Sequence, residues 1–310
     1  MKEESKALVI GALLRVEVGN PNAGWTEGTV TTIKKVGLPN GEVHPYISGQ
    51  ALRRYLRDTL TELYKDKVSP EEKTKDPKAP IVTKGRPDKY YDDDLLGFMR
   101  AEKNKTYARA ASLRVSAAYG VFPLTGDKDL GTRSAKEVKE EAGAGGSIFE
   151  TEITNNVFRT SMLLELDRVG RWEKYENVND KNGSVSAKEK KNRIRAYIEA
   201  LKYLWGGGRR SRFLIDMSPQ FFVCARMTKK LPIFLHALDL KYDDGYVLNM
   251  ELLKEVLSDY KNDIQKLYIG IRKGFLKNED LLEKELKDVV PTCKAGPVGK
   301  IFDEILEEYK

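Results

Sequence analysis

Apolar residues along this chain follow two rhythms, one near two residues and one near 3.6, separated by polar stretches that follow neither. From Ala7 to Val18 an apolar, β-branched run passes into alternation at Arg15 and Glu17, which predicts a buried strand. Gly19 to Gly24 reads as a loop; Thr29 to Val36 is β-branched and basic, and Pro39-Asn40-Gly41 marks a hairpin turn. Ser48 is a good N-cap, and Leu52, Tyr55, Leu56, Leu60 and Leu63 recur at helical spacing, predicting a helix that reaches Tyr64.

Leu113–Leu124 and Ile148–Asp167 again read as strands, the second with Met162, Leu164 and Leu166 alternating against Leu163, Glu165 and Asp167. Lys188–Trp205 predicts an amphipathic helix with Ile194, Tyr197, Ile198, Leu201 and Leu204 on one face, stopped by Gly206-Gly207-Gly208. Arg212–Ala225 completes the set as the last core strand. The order is strand, helix, strand, strand, helix, strand, an α+β, ferredoxin-like arrangement shared by RNA-recognition motifs. Such an order hosts many functions and assigns none. A hairpin around Asp243-Asp244-Gly245 and helices at Asn249–Lys261 and Glu279–Asp288 are expected beyond it.

Two stretches break the rhythm. Lys65–Pro87 is rich in Lys, Asp, Glu and Pro and predicts an exposed, mobile insertion, with a capped helical turn at Asp92–Phe98. Thr125–Gly146 is charged and glycine-rich and predicts a flexible, protruding arm.

Composition adjusts this picture in a few places. At 310 residues the chain exceeds the size at which one core usually stops growing, so one domain with large insertions, or with a small satellite, is expected. No apolar run approaches the roughly 18 residues a membrane span needs, and no cleavage-site pattern follows the N-terminal run. Neither a membrane segment nor a signal peptide is therefore expected, and the cytoplasm is the default. Cys224 and Cys293 lie far apart without CxxC spacing, which argues against a disulfide framework or a cysteine-built zinc site. A net charge of +7 suggests a polyanionic partner without identifying one.

Where the positive charge sits is more informative. Ser48-Gly49-Gln50 opens a helix carrying Arg53, Arg54 and Arg57, and a helix start offers free backbone N–H groups and a positive dipole end to phosphate. The other reading is ordinary capping beside a solvated basic face. In Gly206-Gly207-Gly208-Arg209-Arg210-Ser211-Arg212, a permissive backbone lies beside arginine forks suited to phosphate, although a helix stop with a basic tail gives the same pattern. Lys34-Lys35 adds a weaker basic pair near the first helix. On the arm, Ile148, Phe149 and Ile153 sit beside glycines, as a wedge between bases would, or pack beneath the arm.

Signals for catalysis are sparse. His44 precedes Pro45 at a loop end, and His236 lies in an apolar run where a core role is the ordinary one. No HExxH, Walker, GxSxG or dinucleotide motif occurs. Asp92-Asp93-Asp94 and Asp127/Asp129 could hold a divalent ion, but such clusters usually face water, so no metal and no cofactor is expected.

Thr26-Glu27-Gly28 before a basic hairpin, followed by Tyr46-Ile47-Ser48-Gly49-Gln50-Ala51-Leu52-Arg53-Arg54, resembles the CRISPR-associated DevR family. Asp92–Phe98, Ser112-Leu113-Arg114-Val115-Ser116, Leu166-Asp167-Arg168-Val169-Gly170 and Leu204-Trp205-Gly206-Gly207-Gly208 continue the match in order. The resemblance implies a repeated backbone subunit of a type I Cascade complex, I-B or I-A like. It implies a ferredoxin-like palm (1–64, 113–124, 158–240), a finger-like insertion (65–112), a thumb-like arm (125–157) and a C-terminal hairpin with helices (241–310). Ser48, Gln50, Arg53, Arg54 and the Gly206–Arg210 loop would grip CRISPR RNA, and the arm would reach a neighbouring copy and displace bases. The partners it implies are CRISPR RNA, copies of the same chain head to tail, other Cascade subunits and target DNA. A catalyst is not expected; a ribonuclease of the same fold, with Asp127 and Asp129 as the residues to watch, is the enzyme alternative. A DNA-binding autoregulator is the other alternative, for which no helix-turn-helix with a basic recognition helix is evident.

Overall fold

In a computed structural model, described over residues 4–72, 82–102, 105–133, 147–207 and 213–310, the apolar run at the start of the chain becomes the centre of a sheet. The strand Ala7–Gly19 pairs antiparallel with Ser147–Glu165 on one side and with Pro219–Met227 on the other. Its apolar residues barely alternate with polar ones because both faces are covered. Leu8, Ile10, Ala12, Leu14 and Val16 enter one core, while Ala7, Val9 and Leu13 enter a second on the opposite face.

The helices are α1 (Gly49–Leu63), α2 (Tyr91–Leu95), α3 (Ala187–Lys202), α4 (Met250–Asp259), α5 (Glu279–Val289) and α6 (Val298–Glu307). The apolar faces of α1, α3 and α6 roof the first core. Phe234, Ala237 and Leu238, with the apolar residues of α4 and α5, close the second. Gly11 makes this second face tight, because a Cβ there would meet Phe234 Cβ at 2.6 Å. Leu113–Val115 and Ala118–Gly120 pair antiparallel with the far edge of Ser147–Glu165, so the expected strand over 113–124 is a broken one. The mixed α+β class is as expected.

Several expectations need correction. α3 ends at Lys202, not Trp205, and Trp205–Gly206 pairs with Ile215–Asp216 instead of acting as a bare helix stop. The last expected strand lies at Pro219–Met227. Beyond it the sheet gains Ile264–Ile271, antiparallel, and then Cys293–Pro297, parallel. Periodicity did not reveal these two, because a short apolar run is ambiguous between strand and buried helix. The arm is structured where described: Asp127–Arg133 and the start of Ser147–Glu165 form an antiparallel ribbon, with Asp127 opposite Ile153. Residues 134–146 and 73–81, which carry the rest of the expected arm and insertion, lie outside the described residues.

Asp92, Asp93 and Asp94, expected to face water, are buried at 2%, 0% and 0% exposure. Donors converge on Asp92 and Asp94, while Asp93 keeps one oxygen without a hydrogen-bond partner among the described residues. Asp94 accepts from Arg109 Nη2, from Arg193 Nη1 at 2.8 Å and from the Gly170 amide at 2.8 Å. Asp92 accepts from Arg57 Nε at 2.9 Å and from the Ser69 amide at 2.8 Å. Asp93 accepts from the Arg86 amide at 2.8 Å. Burial pushes the Asp93 carboxyl up to about 6, and the adjacent Asp92 charge adds to that rise.

Asp94→Ala would leave the guanidinium groups of Arg109 and Arg193 buried without their shared counter-ion. The expected cost is about 3–5 kcal/mol, read as a lowered midpoint in urea unfolding. A loss below about 1 kcal/mol would mean that water or Glu176 compensates and that the aspartate does not hold the segment in place.

Candidate nucleic-acid interface

α1 starts where the sequence predicts. Ser48 Oγ accepts from the Ala51 amide at 3.3 Å, and Leu52, Tyr55, Leu56 and Leu60 face the core. Gly49 is required by packing against the protein itself, since a Cβ there would lie 2.6 Å from the Val115 carbonyl oxygen. Gln50 is exposed at the first turn. Arg53 is half-buried, and its Nε is buried without a hydrogen-bond partner among the described residues. Arg54 is exposed and pairs with Asp58 at 2.9 Å and with Glu71. Arg57, expected to share the basic face, turns inward instead. Its side chain is 14% exposed and is engaged by Asp92, Glu71 and the Ser69 carbonyl, so its charge serves the fold.

The Lys34-Lys35 hairpin and the Gly206-Gly207 turn are tied to α1 through the loop that follows the strand Ala7–Gly19. Asn22 Oδ1 accepts from the Ser48 amide at 2.9 Å, and the Asn22 carbonyl accepts from the Lys34 amide at 2.9 Å. One asparagine thus clasps the helix start to the Lys34-Lys35 hairpin. Tyr55 Oη donates to the Pro21 carbonyl at 2.7 Å, while the face of its ring receives Gly206. A Cβ on Gly206 would lie 2.6 Å from that ring, and Gly207 adopts φ +101°, so both positions need glycine. Gly208, Arg209, Arg210 and Arg212 lie outside the described residues. Lys35 pairs with Glu152 at 2.9 Å, which ties the hairpin to the root of the arm.

On the arm, Ile148 lies opposite Thr132 and Phe149 opposite Gly131 in the ribbon. Phe149 is half-buried; Ile153 is also half-buried and packs against the first core, the under-arm alternative. Leu130, which the sequence reading passed over, is 62% exposed on the opposite strand. Asp127 is exposed and Asp129 half-buried, and no cluster of three metal-ligating side chains occurs among the described residues.

His44 is buried, with Nδ1 2.8 Å from the Gly120 carbonyl and its ring stacked on Tyr119. His236, expected in a core strand, is exposed in a turn, because Phe234, Ala237 and Leu238 supply the buried face there. Burial raises the Cys224 thiol well above its usual range and pushes Cys293 up to about 12, leaving both unreactive. Among the described residues no helix is long and apolar enough to cross a membrane.

The sequence reading missed Trp25, 85% exposed on the strand Ala23–Glu27, and Asn22 beside it. The strand that carries Trp25 is only five residues long and almost wholly exposed, so no periodic signal marks it. Only its exposure in the folded chain does.

A family model described as CRISPR-associated negative auto-regulator DevR/Csa2 matches residues 10–247. The chain is 28% identical over 256 residues to a Myxococcus xanthus (strain DK1622) protein described as CRISPR-associated protein Cas7/Cst2/DevR. That alignment covers 76% of this chain and 77% of the other. A chain of a CRISPR RNA-guided surveillance complex superposes with TM-score 0.61 at 15% identity, over 98% of this chain and 100% of that one. A chain of such a complex in a pre-nicking state gives TM-score 0.62 at 14% identity, with the same coverage. At those identities the likeness is one of fold.

Arg57→Ala and Arg54→Ala should separate fold from surface. The first strands a buried Asp92 and is expected to cost about 3 kcal/mol. The second is expected to change stability by no more than about 1 kcal/mol. Equal melting temperatures for the two variants would contradict the inward assignment of Arg57.

Proposed function

The chain belongs to the DevR/Csa2 family of CRISPR-associated proteins, and on that premise we propose that it is a non-catalytic, CRISPR RNA-binding backbone subunit of a type I Cascade surveillance complex. The observation that carries this reading is the meeting of the α1 start, the Lys34-Lys35 hairpin and the Gly206-Gly207 turn around Asn22 and Tyr55. Backbone amides, Gln50, Arg53 and Arg54 are tools for phosphates and sugars. A subunit that accepts any guide sequence must hold that backbone and leave base edges open for target DNA.

In this reading Ala7–Gly19, the 113–120 pair, Ser147–Glu165 and Pro219–Met227 are the four strands of a ferredoxin-like palm, crossed by α1 and α3. Their spatial order of fourth, first, third, second, antiparallel throughout, supports it. The ribbon of 127–133 with 147–153 is the base of the thumb that reaches the next copy. Copies joined by such a heterologous contact extend head to tail along the guide, beside other Cascade subunits. The non-catalytic assignment is supported by the engagement of His44 with Gly120 and Tyr119.

Replacing Arg53 and Arg54 by Gln should weaken single-stranded RNA binding and lower the slope of log K against log salt by about 1.4, as expected for two lost phosphate contacts. An unchanged slope would remove these arginines from the interface. Incubation with repeat RNA or guide-bound target RNA, with and without Mg²⁺, is expected to leave every strand intact. Specific cuts lost in Asp129→Ala would establish the ribonuclease reading instead, and tight duplex-DNA binding without RNA would favour an autoregulator.

A further inference from the structure

Trp25 is displayed by a specific backbone device. Ala23–Glu27 pairs with Val30–Ile33 so that Ala23 faces Ile33 and Thr26 faces Thr31. Gly24 and Trp25 therefore stand opposite Thr32 alone, which is a β-bulge. Thr32 Oγ1 donates to the Trp25 carbonyl at 2.7 Å and secures it. A Cβ on Gly24 would lie 2.8 Å from Thr32 Oγ1 and 3.2 Å from the Ile33 carbonyl, so the close approach depends on glycine. Bulges re-aim side chains, and this one leaves an indole 85% exposed.

The indole stands on a groove of about 440 Å³ that Lys34, Lys35 and Tyr46 also line. Glu27 lines it too, so the groove has an acidic wall as well as a basic one. A uniformly anionic ligand would be repelled by the first. A nucleotide has one end for each: a phosphate for the lysines, and a flat, polarisable base whose amino or imino groups can donate to a carboxylate. Stacking on indole accepts all four bases, whereas a carboxylate alone would select.

We infer that the Trp25 groove is a stacking site for one unpaired RNA base, with its phosphate held on the Lys34-Lys35 side, chiefly by Lys34 because Lys35 is already paired with Glu152. This rests on the reading that the chain binds RNA, and it adds a base-contacting element to an interface otherwise made of backbone contacts. The Lys34 amide joins the groove to the α1 start through Asn22, so one strand can pass from the helix end onto the indole.

The test is fluorescence anisotropy of a labelled single-stranded RNA titrated with the full chain, at several salt concentrations. Trp25→Ala is expected to bind about tenfold more weakly, with Trp25→Phe retaining most of the affinity and the salt slope unchanged in both. An abasic probe with the same number of phosphates should lose a similar factor against the native chain and lose nothing more against Trp25→Ala.

If Trp25→Ala binds like the native chain while the Arg53/Arg54 double replacement does not, the stacking site is refuted and the RNA reading stands. If neither matters, the RNA reading falls and takes the stacking site with it. Unchanged RNA affinity with weakened self-association would assign Trp25 to a protein contact and also overturn the proposal. Native unfolding midpoints, expected for so exposed a position, exclude a folding defect.

Discussion

Much of this structure hangs on where one carboxylate sends its oxygens. Asp94 is fully buried and receives Arg109, Arg193 and the Gly170 amide, so three segments distant in sequence share it. Arg109 also bonds Glu176 at 2.9 Å, and Arg193 bonds the Pro87 carbonyl. A charge in such a place is tolerable only when its donors are complete, which leaves the segment around α2 a single position over α3. Asp92 extends the same logic to α1 through Arg57. The outer face of α1, with Gln50, Arg53 and Arg54, is therefore aimed partly by a buried network on its inner side.

The long strand Ser147–Glu165 is the second constraint. Its later half is a core strand with neighbours on both sides, and its start belongs to the arm ribbon. Between the two, Glu152 accepts from the Ile33 amide and from Lys35, and its carbonyl accepts from Asn20. The arm root, the basic hairpin and the loop before α1 thus form one joint. A displacement of the arm would be felt at the helix start, because few groups lie between them and each is hydrogen-bonded.

What could be read from the chain was whatever depended on neighbours in sequence. The strand Ala7–Gly19, α1 with its Ser48 cap and the apolar face of α3 follow from period and capping. Motif order pointed to the family, and the α1 start was legible as a candidate anion site because amides, cap and arginines lie within one turn or two. The strands Ile264–Ile271 and Cys293–Pro297 were not legible, since their short apolar runs take meaning only from the strands they join.

The sequence by itself determined the local elements, the class and the supply of positive charge, because period, capping and residue type act over a few residues. Tertiary structure decided how that charge is used. Arg57 and Arg54 are chemically alike and three residues apart, yet only Arg57 finds Asp92 buried beneath it. Three adjacent aspartates that look solvated are interior because arginines from three other segments reach or neighbour them. Trp25 is exposed because a bulge opposite Thr32 turns it outward, a two-against-one pairing that exists only once both strands are in place.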